Sequence, residues 1–525
     1  MKQLELNRRT LMGATAAMSA AAMVQSWMAP AQASVTPERL LRMRTNRTIV
    51  STDPGYMVGG METVLQYACL AQLATLNEGP DWSWSPSEFV SHVEQVDAQT
   101  IVFELKTGIQ WYDGTTHEVI SELDAEDVKF SLERIKESEW KDKAAALDHV
   151  EVTGSHSGII HLNQPFAPVW YTWLASGTGT ILCRKSVEAS GGKYDGMFNF
   201  YIGPFRLKEW SPKQFYELEA NPFWTGTPAG INTVRFFIIE DEKTAEIAYE
   251  AGDVDFTHIS TDTLARYQSD GAPDNTVLKV YPGLLWTWMG INTEHPKLQD
   301  VRVRKAIQRA IDVDTILAAA YAGVAPKSHG IVPPGVLGHR TTSNYSFAPD
   351  EARALIAEAG AEGLQLELKT INRTDRMAAA TVIQANLADV GIELDVIPLD
   401  PGPFWNLGLE SSGDDWKDLQ LWIMRYGDAP DPSQMSQWYV EAQVGVWNWE
   451  RWKDSEFDAL FLEGLGETDE ARREEIYLRM QDIMEDTGAY VWITHEPVGI
   501  IHREDLSPSI RPNGWQFYMQ KFAWT

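Results

Sequence analysis

The stretch Met289-Gly-Ile-Asn-Thr-Glu-His-Pro-Lys-Leu-Gln-Asp-Val-Arg-Val-Arg-Lys-Ala-Ile-Gln-Arg-Ala-Ile-Asp312 joins a predicted strand to a predicted helix. The run 284–291, which overlaps its beginning, has the apolar and aromatic composition of a β-strand. Asp300 stands where a helix N-cap is expected, because its side chain can accept hydrogen bonds from the free amides of the first turn. The predicted helix carries Arg302 and the apolar residues Ala306, Ile307, Ala310 and Ile311.

The same alternation of strands and helices continues to about residue 430. Pro349-Asp350-Glu351 is typical of a helix start, and Gly360 stands where that helix is expected to end. A strand over 364–370, a helix over 376–389 and an alternating strand over 392–396 follow. Strands that alternate with helices in this way indicate an α/β domain with mixed strand pairing.

Residues 61–177 show strand and turn patterns of their own. The run 100–106 is rich in β-branched residues, which favours a strand. Asp124 can cap a helix whose apolar stripe is formed by Val128, Leu132 and Ile135. This segment is therefore a candidate for a separate domain.

The N-terminus has the features of an export signal. Asn7-Arg8-Arg9-Thr10-Leu11-Met12 contains a twin arginine, and Ala31-Gln32-Ala33 is typical of a signal-peptide cleavage site. The apolar run between them is too short and too rich in alanine to span a membrane. We predict that residues 1–33 are a twin-arginine-type signal peptide, an ordinary Sec signal being the alternative. Because no cysteine lies at the cleavage site, we expect a periplasmic protein without a lipid anchor.

The formal net charge of the chain is −30 at pH 7. Loss of the signal peptide would remove Lys2, Arg8, Arg9 and Glu5 and lower the charge by two more. Such a charge argues against nucleic acid or an anionic membrane as a partner, since both bind basic surfaces. The two cysteines, Cys69 and Cys183, lie in a compartment that permits a disulfide, but two buried thiols are the alternative.

The sequence lacks the motifs of common catalytic and metal sites. It contains no His-Glu-x-x-His helix, no Gly-x-Ser-x-Gly elbow and no phosphate-binding Gly-Lys-Ser/Thr loop, and its 11 histidines have no metal spacing. A secreted glycoside hydrolase with two catalytic carboxylates is the enzymatic alternative, although no segment singles out one pair. We predict no catalytic residues, no metal and no cofactor.

Six blocks in this chain resemble, in the same order, the peptide-type (family 5) periplasmic solute-binding proteins of ABC transporters. The blocks are 103–134, 201–207, 219–224, 252–255, 292–312 and 351–360. The resemblance covers nearly the whole mature chain. It implies a two-lobed periplasmic-binding-protein (Venus flytrap) fold with an additional third domain, and a ligand held in the cleft between lobes.

The resemblance and the strand pattern together predict the domain boundaries. Lobe I is expected to be discontinuous, domain II to be the additional domain, and lobe III to follow as one segment. The predicted ranges are 34–60, 178–284 and 497–525 for lobe I, 61–177 for domain II, and 285–496 for lobe III. The segments 279–285 and 496–499 contain Pro or Gly and are the candidate crossings between the lobes.

The resemblance also implies residues that contact the ligand. In peptide-binding relatives an aspartate binds the ligand's α-ammonium group, and alignment on Gly-Asp-x-x-Asp-Pro gives Asp428. An arginine binds the ligand's carboxylate, and its match is Arg373, with Arg376 as the alternative. The chemistry fits, because a carboxylate pairs with an ammonium group and an arginine binds a carboxylate through two donors. The other interpretations are a turn residue for Asp428 and a solvated loop arginine for Arg373.

Further candidates lie on the predicted strands of lobe III. Arg425 precedes Asp428 where relatives often have an aromatic or small residue. If Arg425 faces the cleft, it predicts a second acidic group on the ligand, as in an acidic peptide or an opine-like conjugate. Trp286 and Trp288 alternate and so share one face of a strand, and with Trp405 they are candidate walls of a ligand pocket. Core packing is the alternative for these tryptophans.

The predicted function is the periplasmic solute-binding component of an ABC importer. We expect it to capture a peptide or an amino-acid-derived zwitterion and to deliver it to permease subunits in the inner membrane. An oligosaccharide or an opine-type conjugate is the alternative ligand on the same fold. We expect a monomer that does not bind nucleic acid.

Overall fold

The computed structural model describes residues 39–57, 60–79, 82–194, 196–427 and 429–525. The predicted signal peptide and Asp428 lie outside the described residues. The strands, in chain order, are β1 Leu41–Thr45, β2 Ala74–Leu76, β3 Trp84–Pro86, β4 Val90–Asp97, β5 Thr100–Leu105, β6 Gln110–Asp113, β7 Val119–Glu122, β8 Leu147–Gly154, β9 Ser157–Leu162, β10 Phe200–Tyr201, β11 Phe205–Ser211, β12 Phe215–Ala220, β13 Thr233–Ile238, β14 Phe256–Ile259, β15 Thr276–Ile291, β16 Gln365–Ile371, β17 Glu393–Leu399, β18 Leu421–Gly427, β19 Tyr490–Arg503, β20 Leu506–Ser507 and β21 Ala523–Trp524.

Helices alternate with these strands through much of the chain, as the sequence pattern predicts. They are α1 Gly60–Cys69, α2 Ala125–Glu133, α3 Arg184–Ala189, α4 Glu242–Glu250, α5 Thr261–Asp270, α6 Val301–Ala310, α7 Val313–Tyr321, α8 Pro349–Ala359, α9 Thr374–Asp389, α10 Pro401–Asn406, α11 Pro432–Ser436, α12 Ser455–Gly466 and α13 Glu470–Asp486. Among the described residues, no helix has both the length and the apolar character needed to cross a membrane.

Several predicted helix ends are confirmed. The side chain of Asp300 accepts a hydrogen bond from the amide of Arg302 and caps α6. Asp124 caps α2 in a reciprocal arrangement with the side chain of Asp127, so that two free amides are satisfied at once. Gly360 follows α8 with φ +65, a conformation that glycine adopts without a steric penalty.

Strands from distant parts of the chain form one ten-stranded sheet, in the order β11-β12-β13-β1-β14-β19-β15-β18-β16-β17. Its two longest strands, β15 and β19, are antiparallel neighbours of 16 and 14 residues. The predicted crossings 279–285 and 496–499 lie side by side within these two strands. The register shifts there, since Pro282 pairs with Pro497 whereas Trp286 pairs with His495. Three residues of β15 therefore face one residue of β19, which is a bulge in the ladder.

Gly283 occupies this bulge because there is no room for a side chain. A Cβ atom at Gly283 would lie well inside van der Waals contact with the carbonyl oxygen of Glu496. We expect Gly283→Ala to lower the free energy of unfolding by roughly 1–3 kcal/mol, since backbone must move to relieve the overlap. Urea denaturation measures the change, and Gly402→Ala is the matched control because a Cβ at Gly402 meets open space. Equal stabilities for the two variants would contradict the steric argument.

Residues 61–177 contain a separate four-stranded sheet in the order β4-β5-β9-β8, against which α2 packs. The boundaries 284/285 and 496/497 predicted for the lobes fall inside β15 and β19, so the lobes are joined by continuous strands. The division into lobe I, domain II and lobe III stays a prediction.

The C-terminal segment docks against the fold, as its aromatic content predicts. Trp515 stacks on His258 with ring centroids 3.7 Å apart, and β21 pairs with β20. Cys69 and Cys183 are both buried free thiols, so the disulfide that export would permit is not formed.

Candidate ligand-binding cleft

A cavity of about 760 Å³ lies where the segments 57–82, 140–178, 283–285, 425–430 and 498–516 meet. A volume of this order suits a small organic ligand or a short peptide. The cavity borders both long strands, since Leu285 of β15 and Val498 of β19 contribute to its lining. Its aromatic lining residues are Trp82, Trp140, Tyr171, Tyr426 and Trp515.

The charged groups in the described lining are two cations, Lys143 and Arg425. Lys143 donates to the side chain of Gln434 at 2.9 Å, so that it bridges residues from distant parts of the chain. Arg425 lines the cavity from β18. The sequence left open whether Arg425 faces the cleft, and a second acidic group on the ligand was predicted only if it does. Asp428 lies outside the described residues, but its neighbours Gly427 and Ala429 both line the cavity.

Arg425 is held in place by Glu496, on strand β19. Arg425 Nη1 lies 2.7 Å from Glu496 Oε2, and Arg376 Nη2 lies 2.8 Å from Glu496 Oε1. The hydroxyl of Thr287 also donates to Oε1, at 3.0 Å. Burial alone would raise the pKa of Glu496, but the two guanidinium groups lower it to about 2. The carboxylate is therefore ionised at any physiological pH.

The two arginines predicted to bind the ligand's carboxylate have other partners. Arg376 is buried, and its Nη1 donates to the hydroxyl of Tyr321 at 2.6 Å. Arg373 is 46% exposed and makes two hydrogen bonds to Asp375 at the start of α9. The described lining of the cavity contains neither arginine. Of the three arginines predicted for the site, the structure brings only Arg425 to the cavity.

The predicted tryptophans pack into an aromatic core. Trp286 and Trp288 do share one face of β15, but neither belongs to the described lining of the cavity, to which β15 contributes Gly283, Leu284 and Leu285. Trp286 Nε1 donates to the hydroxyl of Tyr439 at 3.0 Å, within the core. Trp405 is partly buried against the same core and is also absent from the described lining. For these three residues the structure favours core packing, because Trp286 and Trp288 are fully buried and Trp405 packs against the same core.

Glu450 lies inside that aromatic core without a cationic partner in the described part of the chain. Trp288 Nε1 donates to Glu450 Oε1 at 2.7 Å, whereas Oε2 has no described hydrogen-bond partner. Burial raises the pKa of Glu450 to about 8, although the bond from Trp288 opposes the shift. This side chain is therefore mostly protonated at pH 7.

A buried ion pair holds Asp431, which follows Asp428 by three positions in the chain. Arg473 Nη2 lies 3.1 and 3.0 Å from the two carboxylate oxygens of Asp431. Asp431 also accepts hydrogen bonds from the amide and hydroxyl of Ser433 at the start of α11. Both members of the pair are almost fully buried, at 6% and 1% exposure for Arg473 and Asp431.

A sequence model of the bacterial extracellular solute-binding proteins, family 5, matches residues 84–456. This chain belongs to that family. The family 5 chain has a cavity beside the two long strands β15 and β19, as expected for a protein that binds a solute. The predicted α/β, two-lobed fold is confirmed.

Relatives of this family 5 chain include proteins named for peptides. The dipeptide-binding protein of Escherichia coli (strain K12) is 25% identical over 431 residues, which cover 77% of this chain and 79% of that protein. HbpA2 from Haemophilus parasuis has a similar structure, with 21% identity, a TM-score of 0.80 and coverage of 93% of this chain and 99% of that one. DppA from Helicobacter pylori in complex with the peptide STSA has 20% identity, a TM-score of 0.69 and coverage of 92% and 97%.

Lys143 and Glu496 belong to the site of this family 5 chain, although neither was predicted from the sequence. Lys143 lies in a short 3-10 helix without a recognisable motif, so no sequence signal points to it. Glu496 lies in a predicted crossing between lobes. A carboxylate beside Pro497, in a strand that otherwise carries mostly apolar residues, is a signal that could have identified it.

Proposed function

We propose that this protein is the periplasmic peptide-binding component of an ABC importer. The observation that carries the proposal is the cavity of about 760 Å³ that is lined by residues from both sides of strands β15 and β19. Family membership and relatives with peptide-binding names support it. The protein acts by binding and release and has no catalytic role. It is a monomer, is not lipid-anchored, and delivers its ligand to permease subunits in the inner membrane.

Asp428 is the residue that binds the free amino end of the peptide. The residues on either side of it line the cavity, which supports this assignment. A carboxylate and an ammonium group attract each other strongly in an enclosed site, where water screens them little. The ligand's carboxylate is bound by Arg425. Arg376 acts on that arginine indirectly through their shared partner, Glu496.

Ligand capture proceeds by closure of lobe III, residues 285–496, on lobe I and domain II. The segments 279–285 and 496–499 act as the hinge, because the strand ladder is already interrupted there by a bulge. Closure buries the ligand between Arg425 and Lys143, which line the same cavity. A ligand favours the closed form only by the difference between its affinities for the closed and open forms.

Calorimetric titration with Ala-Ala and tri-alanine, each with a free or an acetylated amino end, tests the proposal. We expect the free peptides to bind and acetylation to weaken binding by about tenfold or more, since it leaves a buried carboxylate unpaired. The variant Asp428→Ala should lose most of the affinity for the free peptides. Asp395→Ala, which changes an exposed residue of β17, is the control and should bind as the wild type does.

Two results would contradict the proposal. Equal affinities for free and acetylated peptides would contradict the proposal that Asp428 binds the free amino end. Binding of oligosaccharides and of no peptide would leave only the fold and the solute-binding role, with the aromatic lining residues as a stacking surface for sugars.

A further inference from the structure

The cavity is positively charged, although the chain as a whole is strongly acidic. The net charge of the sequence is −30, yet the charged side chains in the described lining are Lys143 and Arg425. Even with a full negative charge assigned to Asp428, the lining carries one more cation than anion. The composition of the chain predicts a negatively charged cavity. The excess of cations is therefore specific to the residues that line it.

The carboxylates around Arg425 do not balance its charge. Glu496 is shared between Arg425 and Arg376, and Asp375 is shared between Arg376 and Arg373. Three guanidinium groups therefore face two carboxylates, and the cluster retains one positive charge. Arg425 is the member of the cluster that lines the cavity, so an anion inside the cavity can neutralise this charge.

Arg425 also has N–H donors that the hydrogen bond to Glu496 does not use. Its hydrogen bond to Glu496 uses Nη1, while Nη2 and Nε make no hydrogen bond to any residue in the described part of the chain. The side chain is 36% exposed, towards the cavity. The bond to Glu496 restrains the guanidinium, so that a second carboxylate can be bound by the free edge at little further entropic cost. Glu496 is thus a positioning residue for Arg425.

We propose that the cavity selects acidic peptides, which carry one carboxylate more than a neutral zwitterion. This inference rests on the proposed peptide-binding function. The ammonium group and one carboxylate of any peptide cancel each other, and the additional carboxylate pairs with the excess positive charge of the Arg425 cluster. An acidic side chain is therefore the feature that distinguishes the preferred ligand from peptides of the same length.

The test compares peptides that differ only in charge. Calorimetric titration would use Ala-Glu and Ala-Ala-Glu against their isosteric amides, Ala-Gln and Ala-Ala-Gln. We expect the acidic peptides to bind wild-type protein about tenfold or more tightly than the amides. In Arg425→Gln both members of each pair should bind more weakly, and the ratio should fall to about one because the acidic peptides lose more affinity. Arg425→Lys keeps the charge and should keep part of the preference.

The matched control is Arg302→Gln, which removes an exposed arginine that lies outside this cluster and outside the described lining of the cavity. It should leave the preference for acidic peptides as in the wild type. A preference that shrinks as sodium chloride is raised would further support an electrostatic origin.

Each contrary result has a distinct meaning. Equal affinities for Ala-Glu and Ala-Gln would overturn the inference and leave the peptide-binding function intact. A preference that persists in Arg425→Gln would overturn the assignment to Arg425. The absence of binding for all four peptides, and for the alanine peptides, would overturn the proposed function together with the inference.

Discussion

Replacing Arg473 with methionine is expected to lower the free energy of unfolding by about 3–5 kcal/mol, because the carboxylate of Asp431 would stay buried without its cation. The two oxygens of Asp431 accept hydrogen bonds from Arg473, and the pair has almost no contact with solvent. Urea denaturation followed by tryptophan fluorescence measures the loss. The variant should also bind peptide more weakly, since Asp431 follows Asp428 by three positions in the chain.

Arg472→Met is the matched control for this prediction. Arg472 is the preceding residue of α13, but it is exposed and pairs with Glu463 and Glu475 at the surface. Its replacement should leave the stability close to that of the wild type. The double variant Arg473→Met with Asp431→Asn removes the unpaired charge and should recover part of the loss. A stable single variant would show that Asp431 finds water or another partner.

Glu450→Gln is expected to stabilise the protein at alkaline pH and to have little effect near pH 4.5. In the native state burial raises the pKa of Glu450 to about 8, from a reference value of 4.5. Between these two values the native protein keeps a proton that the unfolded chain has lost. Stability therefore falls as pH rises through this range, by about 3–5 kcal/mol in total if the full shift is expressed. Glutamine resembles the protonated acid and does not titrate.

The measurement is the difference in unfolding free energy between Glu450→Gln and wild type at pH 4.5, 6.5 and 8.5. Taking the difference removes the contribution of groups common to both proteins, such as the buried His258 and His495, whose pKa values burial lowers to about 3. Glu441→Gln, which makes the same substitution at an exposed position, is the matched control. A flat difference for Glu450→Gln would show that Glu450 is ionised in the native state.

The structural features that depend on residues close together in the sequence were predictable. The caps at Asp124 and Asp300 and the turn at Gly360 follow from local chemistry, since each residue acts on amides or a backbone angle within a few positions of itself. The order of six family blocks gave the fold class, because that order is collinear over most of the chain. The shared face of Trp286 and Trp288 was also predictable from strand alternation.

Features set by distant pairing were not predictable. Alternation places Trp286 and Trp288 on the same face, but it does not say which face meets the cavity. That choice depends on the partners β18 and β19, which lie more than 130 residues away in the chain. The partner of Arg425 could not be inferred for the same reason, since Glu496 reaches it through the pairing of β15 with both strands.

The continuous course of β15 and β19 has a mechanical consequence. A flexible loop between lobes would let them diffuse apart in any direction, whereas two hydrogen-bonded strands resist stretching and shear and yield mainly to twisting. The bulge at Gly283 concentrates that compliance in a few residues. The paired strands β15 and β19 should therefore twist through a small rotation at little energetic cost and then return the lobes to the same alignment. Each cycle of capture and release would then present the permease with one geometry.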